Sequence, residues 1–277
     1  KALSIEPDNR QVIENASYLR IQISDATLID EELEKKLETR SLELFEMPKF
    51  QTIQAIRAFL FNDQKLVLQH LNSYDDYTPS SIAKLKKRDQ EFCSAYNGFL
   101  HKLIETPLVN EPDFVDHQTV FHLGESHCLS YAHKKLKIQG LYHTVVPRLT
   151  FGAKAYRFST EKDNAFKAIT ETNFASLPDA SKVFLSFGEI DCRSDEGFIF
   201  AASKLNKPIN VIISDTVKGY LEWFSKQNKN KNHKLYFLNV PAPLFDQQIG
   251  GDINTQVSNT VKSFNALFKE HMRKYDF

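Results

Sequence analysis

The second half of this chain alternates short apolar runs with helical segments, and few folds absorb that alternation. Val183-Phe184-Leu185-Ser186-Phe187 is apolar almost without interruption, and so is Leu235-Tyr236-Phe237-Leu238-Asn239-Val240. A strand with one wet face alternates apolar and polar residues, whereas a continuous run marks a strand covered on both faces. Val120-Phe121-His122-Leu123 and Tyr142 to Val146 read as two more strands. Helices are expected over Ser130 to Lys137, Ala165 to Phe174 and Ile209 to Phe224. Ile253, Val257, Val261, Phe264, Leu267, Phe268 and Met272 trace one face of a long final helix, with His271 off that face. The strands are far enough apart for crossovers, so a parallel sheet with helices on both sides is the economical arrangement. Such sheets place their chemistry just beyond the carboxyl ends of the strands.

The first part of the chain, residues 1–105, reads as all-helical. Between Asn9 and Ile104 the only helix breakers are Pro48, Pro79 and Gly98. Ile53, Ile56, Phe59 and Leu60 recur at helical spacing, as do Leu66, Leu68 and Leu71. Asp30, flanked by Glu31 and Glu32, is an expected helix start. Residues 106–117 hold two prolines and no periodicity, which marks a linker to an α/β region over residues 118–277. Ala2-Leu3-Ser4-Ile5-Glu6-Pro7-Asp8-Asn9 resembles the closing stretch of a tetratricopeptide repeat, which implies a protein partner for the helical region. An ordinary Pro-Asp-Asn turn is the alternative.

Composition removes several classes of function. With 42% hydrophobic and 25% charged residues the chain is globular and can bury a sizeable core. Its 35 basic residues balance 35 acidic ones, which argues against a general nucleic-acid binder. The longest apolar runs fall far short of the roughly 20 residues of a membrane span. Cys93, Cys128 and Cys192 cannot all pair and include no C-x-x-C, so reduced thiols in the cytoplasm are expected. The chain begins at Lys1 rather than Met, so the lack of a targeting segment carries little weight. The Lys- and Asn-rich stretch from Lys226 to Lys234, which includes His233, reads as a solvated connector.

Two strand ends carry the candidate chemistry. The first strand runs into Gly124-Glu125-Ser126-His127-Cys128 and the third into Gly188-Glu189-Ile190-Asp191-Cys192-Arg193. Each places a glycine where the backbone turns, then polar residues where a buried strand meets the surface. Ser126, opening the following helical segment, is a nucleophile candidate, with a simple helix cap as the other reading. Arg193 is a candidate anion clamp, or else half of an Asp191–Arg193 pair that braces the loop.

Gly124-Glu125-Ser126 resembles the first block of the SGNH (GDSL-like) hydrolases, normally Gly-Asp-Ser, and Gly188-Glu189-Ile190-Asp191 resembles their Gly-x-Asn-Asp block. The resemblance covers residues 118–277. It implies a three-layer α/β/α, flavodoxin-like parallel sheet and a serine esterase. Ser126 would then be the nucleophile, with the backbone N–H groups of Ser126 and Gly152 holding the oxyanion. Asp191 would complete the catalytic set, and Glu125, His127, Glu189 and Arg193 would bind the substrate, with Glu189, Asp191 and Arg193 shaping its second wall. The implied substrate is a small-molecule or carbohydrate O-acyl ester, hydrolysed or transferred, with no cofactor. Two departures stand out. Ile190 occupies the place of an oxyanion-stabilising asparagine, and the family's late Asp-x-x-His is missing. A base beyond Phe277, or locally His127 or His122, is then expected. A catalytically inactive binding module is the alternative function.

Other groupings rank lower. His117, His122, His127 and His133 with Cys128 do not share one face of a strand or helix, so no metal is expected there. Cysteine nucleophiles at Cys128 or Cys192 are outweighed by packing roles. Phe151 and Tyr156 flank Gly152 as candidate pocket walls.

Overall fold

A computed structural model of the 277-residue chain describes residues 47–106, 118–244, 250–275 and 277, with Leu19 and Gln22 besides. The tetratricopeptide-like stretch at residues 2–9, the helix start at Asp30, His117 and nearly all of the expected linker lie outside the described residues. Two compact units emerge, one of residues 1–116 with 133–135, the other of 117–132 with 136–277.

The described residues 47–106 of the first unit are helical: α1 (Met47–Leu60), α2 (Gln64–Asp75), α3 (Pro79–Ile82) and α4 (Lys87–Glu105). Asn62 takes a left-handed backbone between α1 and α2, and Asp63 caps α2 by accepting from the Leu66 N–H at 2.9 Å. Helix α1 packs against both α2 and α4. At the centre of that packing Asn97 donates to Thr52 Oγ1 (2.6 Å) and to the Cys93 carbonyl (2.7 Å). The buried stripe of α2 is Val67, Leu71 and Tyr74, at i, i+4 and i+7. Leu66 and Leu68, part of the helical spacing read from the sequence, flank that stripe and stay 37% and 42% exposed.

The second unit is α/β. In chain order it holds β1 (Gln118–Gly124), a 3-10 turn (Ser126–Tyr131), β2 (Lys135–Ile138), β3 (Leu141–Leu149), α5 (Ala155–Ser159) and α6 (Ala165–Ala175). There follow β4 (Lys182–Ser186), a 3-10 turn (Ile190–Cys192), α7 (Phe198–Leu205), α8 (Ile209–Asn228), β5 (Lys234–Phe237) and α9 (Gly251–Met272). The sheet order is β2-β3-β1-β4-β5, and the pairs β1–β3, β1–β4 and β4–β5 are parallel. Register sends Phe121, Leu123, Val183, Leu185, Leu235 and Phe237 to one face. There they meet Phe158 of α5, Phe174 of α6, Tyr220 and Phe224 of α8, and Phe264 and Phe268 of α9. Aromatic pairs at 4.8–6.2 Å fill much of this layer, which is where many of the chain's 22 phenylalanines go. The opposite face carries Val120, His122 and Gly124 from β1 and Phe184 and Ser186 from β4.

The helix expected over Ser130 to Lys137 does not form. The 3-10 turn ends at Tyr131, His133 has φ +62°, and Lys135-Leu136-Lys137-Ile138 then runs as a strand. Gln139 and Gly140, both at positive φ, form the two-residue turn into β3. So short a connection makes β2 and β3 an antiparallel hairpin at the sheet edge.

Gly188, at the exit of β4, has φ +128°, and a Cβ there would stand 2.7 Å from Phe264 Cζ. Gly188→Ala therefore combines backbone strain with overpacking and is expected to cost about 1–3 kcal/mol. Urea unfolding should show this as a lower midpoint with an unchanged slope.

Candidate active site

Among the parallel strands the spatial order is β3-β1-β4-β5, so the chain leaves β1 in one direction and later returns to its other side. A crevice opens at such a reversal, outside the carboxyl ends of the two diverging strands. Here those ends are β1 and β4, and both candidate motifs sit there. Gly124 pairs with Ser186 at the last rung, and the Thr150 N–H donates to the Gly124 carbonyl at 2.8 Å, so the loop after β3 joins the same edge.

Glu125 organises this edge. It is 1% exposed, and its carboxylate receives three contacts. Ser126 Oγ donates to Oε2 at 2.8 Å and the His127 backbone N–H to the same oxygen at 3.1 Å, while His127 Nδ1 lies 2.7 Å from Oε1. The hydrogen bond to Glu125 raises the His127 pKa above its ordinary value, against burial, and the nearby Glu189 charge adds to the rise. The His127 ring does not point away from the site, as adjacency to Ser126 suggests, but folds back over Glu125. Ser126 is half-buried and its hydroxyl faces a carboxylate rather than an imidazole.

Glu189, from the β4 end, reaches the same cluster: one donor atom each from Glu125, His127 and Glu189 lies within 4.8 Å of the others. Arg193 grips Glu189 through Nε (3.1 Å to both oxygens) and Nη2 (2.8 Å to Oε2), and its Nη1 reaches Glu196 Oε1 at 3.2 Å. Lys154, from the loop after β3, bonds Glu196 Oε2 at 3.1 Å. Arg193 is thus held by carboxylates on two sides.

The Asp191–Arg193 brace does not form. Asp191 is 2% exposed and turns the other way, where its two oxygens accept the N–H groups of Ala155 (2.7 Å) and Tyr156 (3.1 Å) at the start of α5. It ties the β4 loop to the chain just after Gly152. Burial pushes its carboxyl up to about 6, with the two backbone N–H bonds opposing. Gly152 is exposed at φ +64°, and Tyr156 beside it is exposed as well. Ile190 is buried.

His122 lies in the middle of β1 with no exposed surface, its Nε2 2.8 Å from Ser186 Oγ and its Nδ1 without a partner. Burial, aided by the His127 charge, drives its pKa down to about 3. It stays neutral and bonds Ser186, not Ser126. His233 and His271, which read as loop and off-stripe residues, are both buried. Each has a serine partner: the Ser181 N–H donates to His233 Nδ1 (3.1 Å), and His271 Nε2 contacts Ser214 Oγ (3.1 Å). Burial raises the Cys128 and Cys192 thiol pKa values well above the ordinary range, so neither is a thiolate nucleophile.

The His122–Ser186 pair and the closure of the His127 ring onto Glu125 escape sequence reasoning. The first depends on strand register, the second on the tight 3-10 turn that begins at Ser126. No family model, curated protein or solved structure matches this chain. No helix among the described residues is long and apolar enough to cross a membrane.

Two buried groups give opposed pH dependences. His122 has a folded pKa near 3 against an ordinary 6.5, so its stabilisation is complete above 6.5 and fades as pH falls toward 3. Asp191, near 6 against 3.8, favours the folded state most below 3.8 and loses that contribution as pH rises to 6. Between pH 4 and 6 the two slopes offset each other. His122→Phe is expected to make stability fall with rising pH across this window relative to the parent. Asp191→Asn should make it rise. Each change is at most about 1.4 kcal/mol per pH unit, read from urea denaturation at pH 4, 5 and 6.

Proposed function

We propose that the α/β unit is a serine-dependent acyl hydrolase of the SGNH type, a three-layer α/β/α enzyme acting on an O-acyl ester, most simply of a carbohydrate. The observation that carries this reading is the Ser126 hydroxyl at the β1/β4 reversal, bonded to a buried carboxylate that also holds the His127 ring. In this reading Ser126 Oγ attacks the acyl carbon and its proton passes to Glu125 Oε2, the acceptor it already has. His127, its Nδ1 engaged by Glu125 and its pKa raised, keeps a proton for the leaving alkoxide. Water then attacks the acyl-enzyme and gives its proton to His127, while Glu125 returns one to Ser126. The backbone N–H groups of Ser126 and Gly152 hold the oxyanion. Transfer to a sugar hydroxyl uses the same acyl-enzyme. Three free, buried cysteines suit a reducing, cytoplasmic setting.

A specific observation favours a second reading, a non-catalytic binding module whose helical unit engages a protein partner. Ser126 lacks an imidazole acceptor, Ile190 offers no donor, and both oxygens of Asp191 are occupied.

Labelling with a fluorophosphonate serine probe separates the two. Covalent labelling of the intact chain that disappears in Ser126→Ala and drops by about 10²-fold or more in rate in Glu125→Gln supports the enzyme. A folded chain that takes no label supports the binding module.

A further inference from the structure

We propose that Glu125, His127 and Glu189 form a binding site for one divalent transition-metal ion, zinc or manganese(II). One donor atom from each lies within 4.8 Å of the others, a spread that closes onto a shared ion at about 2.0–2.2 Å with small side-chain movements. One imidazole nitrogen with carboxylate oxygens suits zinc or manganese better than the all-oxygen shells of calcium and magnesium.

The three donors come from two strand ends brought together by parallel register, and their setting resembles a supported ligand shell more than a patch of surface acids. Glu125 is 1% exposed. The Ser126 hydroxyl and the His127 N–H both bond Oε2, which orients the carboxylate and leaves Oε1 facing only the imidazole. Metal-binding carboxylates are characteristically held by such outer hydrogen bonds. At 2.7 Å, His127 Nδ1 and Glu125 Oε1 share one proton. A metal ion replaces that proton, and the two atoms part to about 3.3 Å, the edge of a tetrahedron with bonds near 2.0 Å. The His127 side chain is 40% exposed, so water reaches the remaining coordination positions.

Arg193 now occupies Glu189 in a two-pronged, partly solvated pair, at 43% and 26% side-chain exposure, which an ion must displace from that carboxylate. The guanidinium already contacts Glu196 and keeps that acceptor when Glu189 turns to the ion. The inference does not rest on the acyl-transfer reading, because binding is measured without any substrate.

The test is calorimetric titration of the full chain, stripped with EDTA and dialysed, with zinc chloride and separately with manganese chloride. One saturable ion per chain is expected, weakened about tenfold or more in Glu189→Gln and in His127→Ala and unchanged in Glu196→Gln. Cobalt(II) should give visible absorption bands that both weakened variants lose. Circular dichroism checks folding, and the nearly isosteric Glu189→Gln decides the matter if His127→Ala misfolds. No saturable binding by the parent chain, or equal affinity in parent and Glu189→Gln, overturns the proposal.

Discussion

A carboxylate withdrawn from water survives only where hydrogen bonds replace its hydration, and Glu125 imposes that demand at the end of the central strand. All three of its contacts come from the next two residues. The chain must therefore curl back at once, and the 3-10 turn beginning at Ser126 is the tight geometry that allows it. Ser126 and His127 are placed by the same requirement. The arrangement of the site follows from one desolvated charge more than from any preference of the serine or histidine.

Asp191 plays the corresponding part for the β4 loop. Its carboxyl spans the first two N–H groups of α5, so the segments after β3 and β4 are tied together. The Lys154–Glu196–Arg193 chain repeats the link at the surface, where it adds orientation and little energy. The buried tie is the firmer one.

How much of this was legible in the sequence depends on how locally each feature is determined. Strands β1, β4 and β5 could be read because a short apolar run set between helical segments has few places to go other than a sheet, although the burial of β4 and β5 alternates rather than extending to both faces. The convergence of Glu125, Ser126 and Glu189 followed from the rule that parallel sheets work at their carboxyl ends. The segment from Ser130 to Lys137 misled because His133 adopts a left-handed backbone without being glycine, and because Lys135 to Ile138 is too short for period two to outweigh period 3.6. The Asp191–Arg193 pairing failed because the intervening 3-10 turn sends the two side chains to different neighbours. His233 and His271 looked solvent-facing because their serine partners lie 52 and 57 residues away, a relation no local pattern records.

The hairpin at Gln139-Gly140 has a consequence for how this molecule behaves among copies of itself. It folds β2 onto the flank of β3, so one rim of the sheet is a short segment bearing Lys135 and Lys137, and the other rim, β5, begins with Lys234. Unpaired backbone along a sheet margin is a template for another strand, and brief, lysine-bearing borders blunt it. Among the described residues, both borders of the sheet beside the phenylalanine-rich interior are thus poor templates for growth by strand addition.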